Sequence, residues 1–184
     1  MPKNILICVC ALAFGLVMRP GGATAQESGS MDKVLPKIHS IYIYQLSKYF
    51  VWPDANSGEK NFIIGIYGEA GTAYINEMES MARARKANGQ NFTILQFNSP
   101  QEIKLDCHII YVPYESSNYL NEILMKTQKH PILVVSAKEG LGKVGSPVNL
   151  VTVNGKPSFE LNVDAVEKRN LKYIQQLKAL AIVL

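Results

Sequence analysis

Apolar residues along the chain follow two rhythms. Between Asp32 and Phe50, Leu35, Ile38, Tyr42, Leu46 and Tyr49 recur at spacings of three or four, which predicts a helix with one apolar stripe. Ile41, Ile43, Tyr44 and Phe50 make other sides of it apolar too, as in a helix that is deeply buried or faces a second protein surface. Pro36 suits only a first turn, and Trp52-Pro53 stops the helix because the residue before a proline avoids helical geometry. Four short apolar runs follow: "FIIGIYG" (62–68), "FTILQF" (92–97), "HIIYVP" (108–113) and "PILVVSA" (131–137). The first, third and fourth are nearly continuous, as in strands covered on both faces. Helical spacing returns at Ile75, Met78 and Met81/Ala82, closed by Asn88-Gly89, and again at Tyr119, Ile123 and Lys126/Thr127.

The last third of the chain changes character. "VNLVTV", Asn154-Gly155 and "KPSFELNV" read as a hairpin with a type I′ turn, and Pro157 places its second strand at an edge or pairs it only beyond the proline. Asn162 suits the cap of a short helix, Asn170 its left-handed close, and Ile174, Leu177 and Leu180/Ala181 a final helix. Strand–helix alternation implies parallel pairing with right-handed crossovers. The expected fold is α/β: a three-layer α/β/α sandwich with a mostly parallel sheet and an antiparallel C-terminal edge hairpin.

The first 25 residues read as a signal peptide, with Lys3 in the n-region, an apolar run from Ile5 to Met18 and an A-x-A site at Ala23 to Ala25. The expected organisation is leader 1–25, a flexible polar lead-in 26–31 and one domain over 32–184, in a periplasmic protein. Removing the leader takes away Lys3 and Arg19 and no acid, leaving 17 basic residues against 15 acidic ones. That near balance argues against nucleic acid as a partner, and "ARARK" (82–86) reads as a solvated helix face. Cys8 and Cys10 leave with the leader, so Cys107 stands alone and cannot form an intrachain disulfide. Its place in "CHIIYVP" suggests packing, with a redox role as the alternative.

Candidate chemistry is sparse. "GLGKVG" (140–145) fits the glycine spacing of a dinucleotide loop, but Ser146-Pro147 and a β-branched strand follow it where the motif needs a helix. "GIYGEAG" (65–71) does lead into a helix, but its spacing is wrong and Glu69 would set a negative charge beside a phosphate. The three histidines, His39, His108 and His130, lie in different elements without metal-ligand spacing, and no nucleophile-elbow or zincin motif is present. No cofactor, metal or catalytic residue is expected, and the protein reads as a non-enzyme.

The order of motifs resembles the YfiR/HmsC-like family of small periplasmic regulators. The likeness runs from "LSKYFVWP" through "FIIGIYG", "CHIIYVP" and "GKVGSPVNLV" to "PSFELNVDAVEKRNLKYIQQLKALA", nearly all of residues 32–182. It implies an α/β/α sandwich without catalysis and an inner-membrane signalling partner, a diguanylate cyclase or a sensor kinase, engaged through its periplasmic domain. In the best-known member the cyclase is held inactive, and release raises cyclic di-GMP and promotes biofilm. That member's paired cysteines have no counterpart here beyond Cys107.

Tyr49, Phe50, Trp52 and Pro53 are the expected partner anchors, because aromatic residues at the end of an apolar helix are typical of interfaces; the competing reading of Trp52-Pro53 is a buried plug. Gly145, Asn149, Glu160 and Asn162 are expected to serve loop geometry and capping. Self-association into a homodimer stays open. So does a small-molecule ligand at the carboxyl ends of the parallel strands, lined by Tyr67 to Glu69 and Tyr111 to Glu115.

Overall fold

A computed structural model describes residues 25–53, 61–68 and 70–184; the expected leader lies almost wholly outside them. Helix α1 (Ala25–Tyr49) passes directly into the two-residue strand β1 (Phe50–Val51). Then come β2 (Asn61–Tyr67), α2 (Gly71–Ala84), β3 (Lys86–Ala87), β4 (Gln90–Phe97) and β5 (Ile109–Val112). A 3₁₀ segment, Tyr114–Tyr119, leads into α3 (Leu120–Thr127), followed by β6 (Leu133–Ser136), β7 (Val148–Val153) and β8 (Lys156–Leu161). The chain finishes with α4 (Val163–Glu167), β9 (Lys172–Tyr173), α5 (Gln176–Leu180) and β10 (Ile182–Val183).

Eight strands form one sheet in the order β10-β8-β7-β6-β5-β2-β4-β3, and β1 pairs separately with β9. The five strands from β4 to β7 across the centre are mutually parallel, and among the described residues the antiparallel pairs of this sheet are β7–β8 and β3–β4. Alternation along the central strands makes the three layers. Ile109, Tyr111, Leu133 and Val135 face the core beneath α1, α2 and α5. Ile110, Val112, Ile132 and Val134 face a second core that includes Leu120 and Ile123 of α3. The expected α/β sandwich is therefore present, and the continuous apolar runs are the strands buried on both faces.

Local boundaries differ in three places. Helix α1 begins at Ala25, so it takes in the polar stretch expected as a flexible lead-in, and Pro36 lies inside it, not in its first turn. Asn88-Gly89 does not close α2, which ends at Ala84; both residues have positive φ (48° and 90°) and turn β3 back onto β4 as a hairpin. The antiparallel C-terminal hairpin stands towards one edge of the sheet as expected, and the two-residue β10 adds in parallel outside β8, pairing only at Glu160 and Leu161, beyond Pro157. The final helix is one short turn, since the chain switches to extended geometry at Ala181. The Asn154-Gly155 turn and the left-handed Asn170 match the sequence reading, with φ of 51°, 72° and 56°.

Candidate functional site

The aromatic residues after α1 separate into core and surface. Pairing of β1 with β9 sets Phe50 opposite Tyr173, turning Phe50 inward and Val51 outward. Trp52 is 6% exposed, meets Phe62 edge-on at 4.9 Å and donates its indole N–H to the His108 carbonyl at 3.1 Å. Phe50 and Trp52 therefore lie in the core, the placement that the plug reading expects of Trp52, with Phe50 held by the β1–β9 clip. Pro53 is exposed beside them.

Tyr49 is half-buried and belongs to a different feature. With Ile41, Tyr42 and Gln45 of α1, Phe159 of β8 and Leu177 and Leu180 of α5, it lines an apolar groove of about 230 Å³. Ile41 and Leu180 stand 49% and 56% exposed on its rim. The groove exists because α1 is apolar on more than one side: Ile43 and Leu46 fill the core while Ile41 and Tyr49 are left over.

A larger cavity, about 610 Å³, opens at the carboxyl ends of β5 and β6. Tyr114 and Glu115 follow β5 into its wall, Ala137 to Glu139 follow β6, and residues of α1, α2, β7, β8 and β10, among them His39, Tyr74 and Glu160, complete it. Tyr67 takes no part: it packs in the other core, against Tyr119, because its position on β2 points to the opposite face. His39 Nδ1 and the Tyr111 hydroxyl are hydrogen-bonded at 2.7 Å in the interior. Burial lowers the His39 pKa to about 4 and holds the Tyr111 phenol well above its ordinary range, so both are neutral near pH 7.

Beside this cavity runs a polar relay across three strands. The Ser136 hydroxyl donates to Asn149 Oδ1 at 2.7 Å, and Asn149 Nδ2 donates to Glu160 Oε2 at 2.8 Å. Asn149 and Glu160 are register partners on β7 and β8, and Asn149 is fully buried. The Lys138 amide N–H also reaches Asn149 Oδ1, at 3.3 Å, which fixes the chain where it leaves β6. The loop-and-cap expectation for Asn149 and Glu160 is therefore corrected; they satisfy buried polar groups within the sheet. Asn162 does cap α4, accepting from the Ala165 N–H at 2.9 Å, and its amide donates to the Gly142 carbonyl at 2.9 Å. Gly145, at φ 111°, closes the glycine-bearing turn in a conformation that favours glycine. That turn runs straight into β7, so no helix opens from it.

Cys107 is 3% exposed in the core on the α3 side, and its thiol pKa is pushed up to about 12, chiefly by burial and then by Asp106. A thiol so placed is a packing group rather than a redox group. His108 accepts the Ile63 N–H at 3.1 Å and stacks on Phe62. Among the described residues no three His, Cys, Asp or Glu side chains gather as metal ligands, and no helix is long and apolar enough to cross a membrane. Sequence reasoning missed Ser136, which sits inside an apolar run, and the burial of Arg169, which reads in sequence as an ordinary last-turn cation.

Groove, cavity and relay are the prominent features of this α/β sandwich domain. The chain belongs to the YfiR/HmsC-like family, whose sequence profile matches residues 36–182. Members of that family are periplasmic, non-catalytic regulators. Similar folds occur in a conserved domain protein of Vibrio cholerae O1 biovar El Tor (TM-score 0.55, 11% identity, 80% of this chain and 59% of that one). An ABC domain from Streptococcus pneumoniae, solved in complex with L-Trp, is also similar (TM-score 0.51, 11% identity, 70% of this chain and 56% of that one). The chain thus spans less than three fifths of the length of either structure. No curated protein matches the chain.

Proposed function

We propose that this protein is a periplasmic regulator that binds the periplasmic domain of an inner-membrane signalling protein, a diguanylate cyclase or a sensor kinase, and holds its output down. Family membership supports the regulatory role. The observation that carries partner binding is the groove between α1 and α5, where Ile41 and Leu180 expose apolar surface beside the half-buried Tyr49. Aromatic and aliphatic anchors in a shallow groove suit the buried centre of a protein–protein contact. The signal peptide belongs to this reading, since the regulator must reach the periplasm. For a cyclase partner, release of the regulator would raise cyclic di-GMP and favour biofilm.

The test is cross-linked capture of the tagged protein from its native cell envelope, read by mass spectrometry. The expected catch is an inner-membrane protein with a periplasmic domain and a cyclase or kinase domain. Ile41→Glu and Leu180→Glu should each reduce that catch at least tenfold with the circular dichroism spectrum unchanged. Equal capture by both variants would remove the groove from the mechanism, and no membrane protein in the catch would remove the regulator reading.

The strand-end cavity favours a second, compatible reading as a sensor of a small periplasmic solute. Open α/β sheets take ligands at this end, and about 610 Å³ lies in the range of small-molecule sites. Lys138 and Glu160 offer opposite charges at its wall, with Tyr114 under the Lys138 ammonium at 5.2 Å. A thermal-shift screen of amino acids and small metabolites tests it, because a ligand at 100-fold its dissociation constant adds about 2.7 kcal/mol.

A further inference from the structure

A separate concavity of about 560 Å³ lies between the end of α3 and α4 and takes no part in the reading above. Lys129, Lys168 and Arg169 bring cations to its wall, and Asp164 is its one acidic lining residue, so two positive charges are in excess. Both lysines are exposed, but Arg169 is 94% buried, at 6% relative exposure. Its guanidinium donates to the Ala165 carbonyl at 3.1 Å and, through a long bond of 3.4 Å, to the Leu124 carbonyl. Its Nε–H is buried without a partner. No carboxylate pairs with it: among the described residues the one ion pair joins Arg83 and Glu79.

A buried guanidinium is costly unless an anion answers its charge, and arginine does not escape by losing its proton. The two carbonyls belong to helix C-terminal turns, whose partial negative charge of about half a unit offsets only part of it. The remaining N–H groups and the two flanking ammonium groups match an oxyanion, for which a planar guanidinium is the best-suited side chain. A surplus of two charges fits a phosphate group, at about −1.5 to −2 near neutral pH, better than a carboxylate. We propose that the α3–α4 cleft is a phosphate-binding site, with Arg169 as the buried anchor and Lys129 and Lys168 closing on the ligand from the rim.

The whole secreted chain, in chloride buffer, is titrated with inorganic phosphate by calorimetry, and sedimented separately with phosphatidylglycerol or phosphatidylcholine vesicles at equal ionic strength. Phosphate should bind at one site per chain, at least tenfold more weakly in the Lys129→Ala/Lys168→Ala double variant. That variant should melt within about 2 °C of the wild type, because both side chains are exposed surface groups. Arg169→Lys keeps the charge but loses the fork, and should also weaken phosphate binding. Phosphate binding without vesicle binding identifies a free phosphorylated solute. Phosphatidylglycerol-dependent sedimentation that the double variant loses identifies a lipid headgroup. Absence of both signals, or signals of wild-type strength in the double variant, would overturn the proposal and leave Arg169 as a pin between α4 and α3.

Discussion

Replacing Trp52 by alanine tests whether the residue after the first helix is core or interface. The indole is 6% exposed and packs edge-on against Phe62 at 4.9 Å, with Phe50 and His108 rings at 6.1 and 5.8 Å. Truncating a buried Trp to Ala costs roughly 3–5 kcal/mol from lost burial and the cavity left behind. The indole N–H also satisfies the His108 carbonyl, and losing that bond adds about 1 kcal/mol. Against a typical total stability of about 5–15 kcal/mol, the variant should be severely weakened. At about 2–4 °C per kcal/mol for a chain of this size, the total of roughly 4–6 kcal/mol should lower the melting temperature by roughly 8–24 °C. Equilibrium urea unfolding of wild type, Trp52→Ala and Trp52→Phe measures it, with the phenylalanine variant recovering much of the loss. A Trp52→Ala protein within about 1 kcal/mol of the wild type that no longer captures a partner would refute the argument and return Trp52 to the surface.

Acid should destabilise the protein through His39. Its folded pKa of about 4 lies below the ordinary 6.5, so above that value stability is unaffected. As pH falls from 6.5 toward 4 the unfolded chain takes up a proton that the native one refuses, costing on the order of 2–3 kcal/mol by pH 4; His39→Gln should flatten that part of a stability–pH curve. Asn162→Ala removes the α4 cap and the bond to Gly142, and should lower stability by about 1–2 kcal/mol in urea unfolding without altering the far-ultraviolet spectrum much. Cys107, with its pKa near 12 and its thiol buried, should react with iodoacetamide at pH 8 at least about a hundredfold more slowly in the native protein than in urea; a native rate equal to the denatured one would show the thiol to be accessible.

The layers of the fold were legible because period carries burial. "HIIYVP" and "PILVVSA" are apolar at successive positions, and the structure sends alternate residues of each to opposite cores. The C-terminal hairpin was legible because Asn154-Gly155 sits between β-branched runs. Asn88-Gly89 carries the same signal but follows a helix, and only the antiparallel pairing of β3 with β4 distinguishes a hairpin turn from a helix close. Trp52 illustrates the limit more sharply. Its neighbours in sequence say that a helix ends there, while its burial is made by Phe62 and by His108, far along the chain. The polar relay was legible only as residue types, since Asn149 and Glu160 meet through register and Ser136 lies hidden in an apolar run. Arg169 gave no signal at all, because a cation after a short helix is ordinary until its burial is seen.

The clip between β1 and β9 also bears on the order in which the molecule assembles. It joins Phe50 to Tyr173 and Val51 to Lys172, and the Ile174 N–H reaches back to the Tyr49 carbonyl. The parallel strands between them can pair through short crossovers while the chain is still emerging, but this closure waits for residues far downstream of β1. Loop closure over so long a span is entropically costly and slow. Until it happens Phe50 lacks its packing partner Tyr173, so a late segment acts as the latch on an early one. A chain held open in this way stays threadable until the residues of β9 are in place.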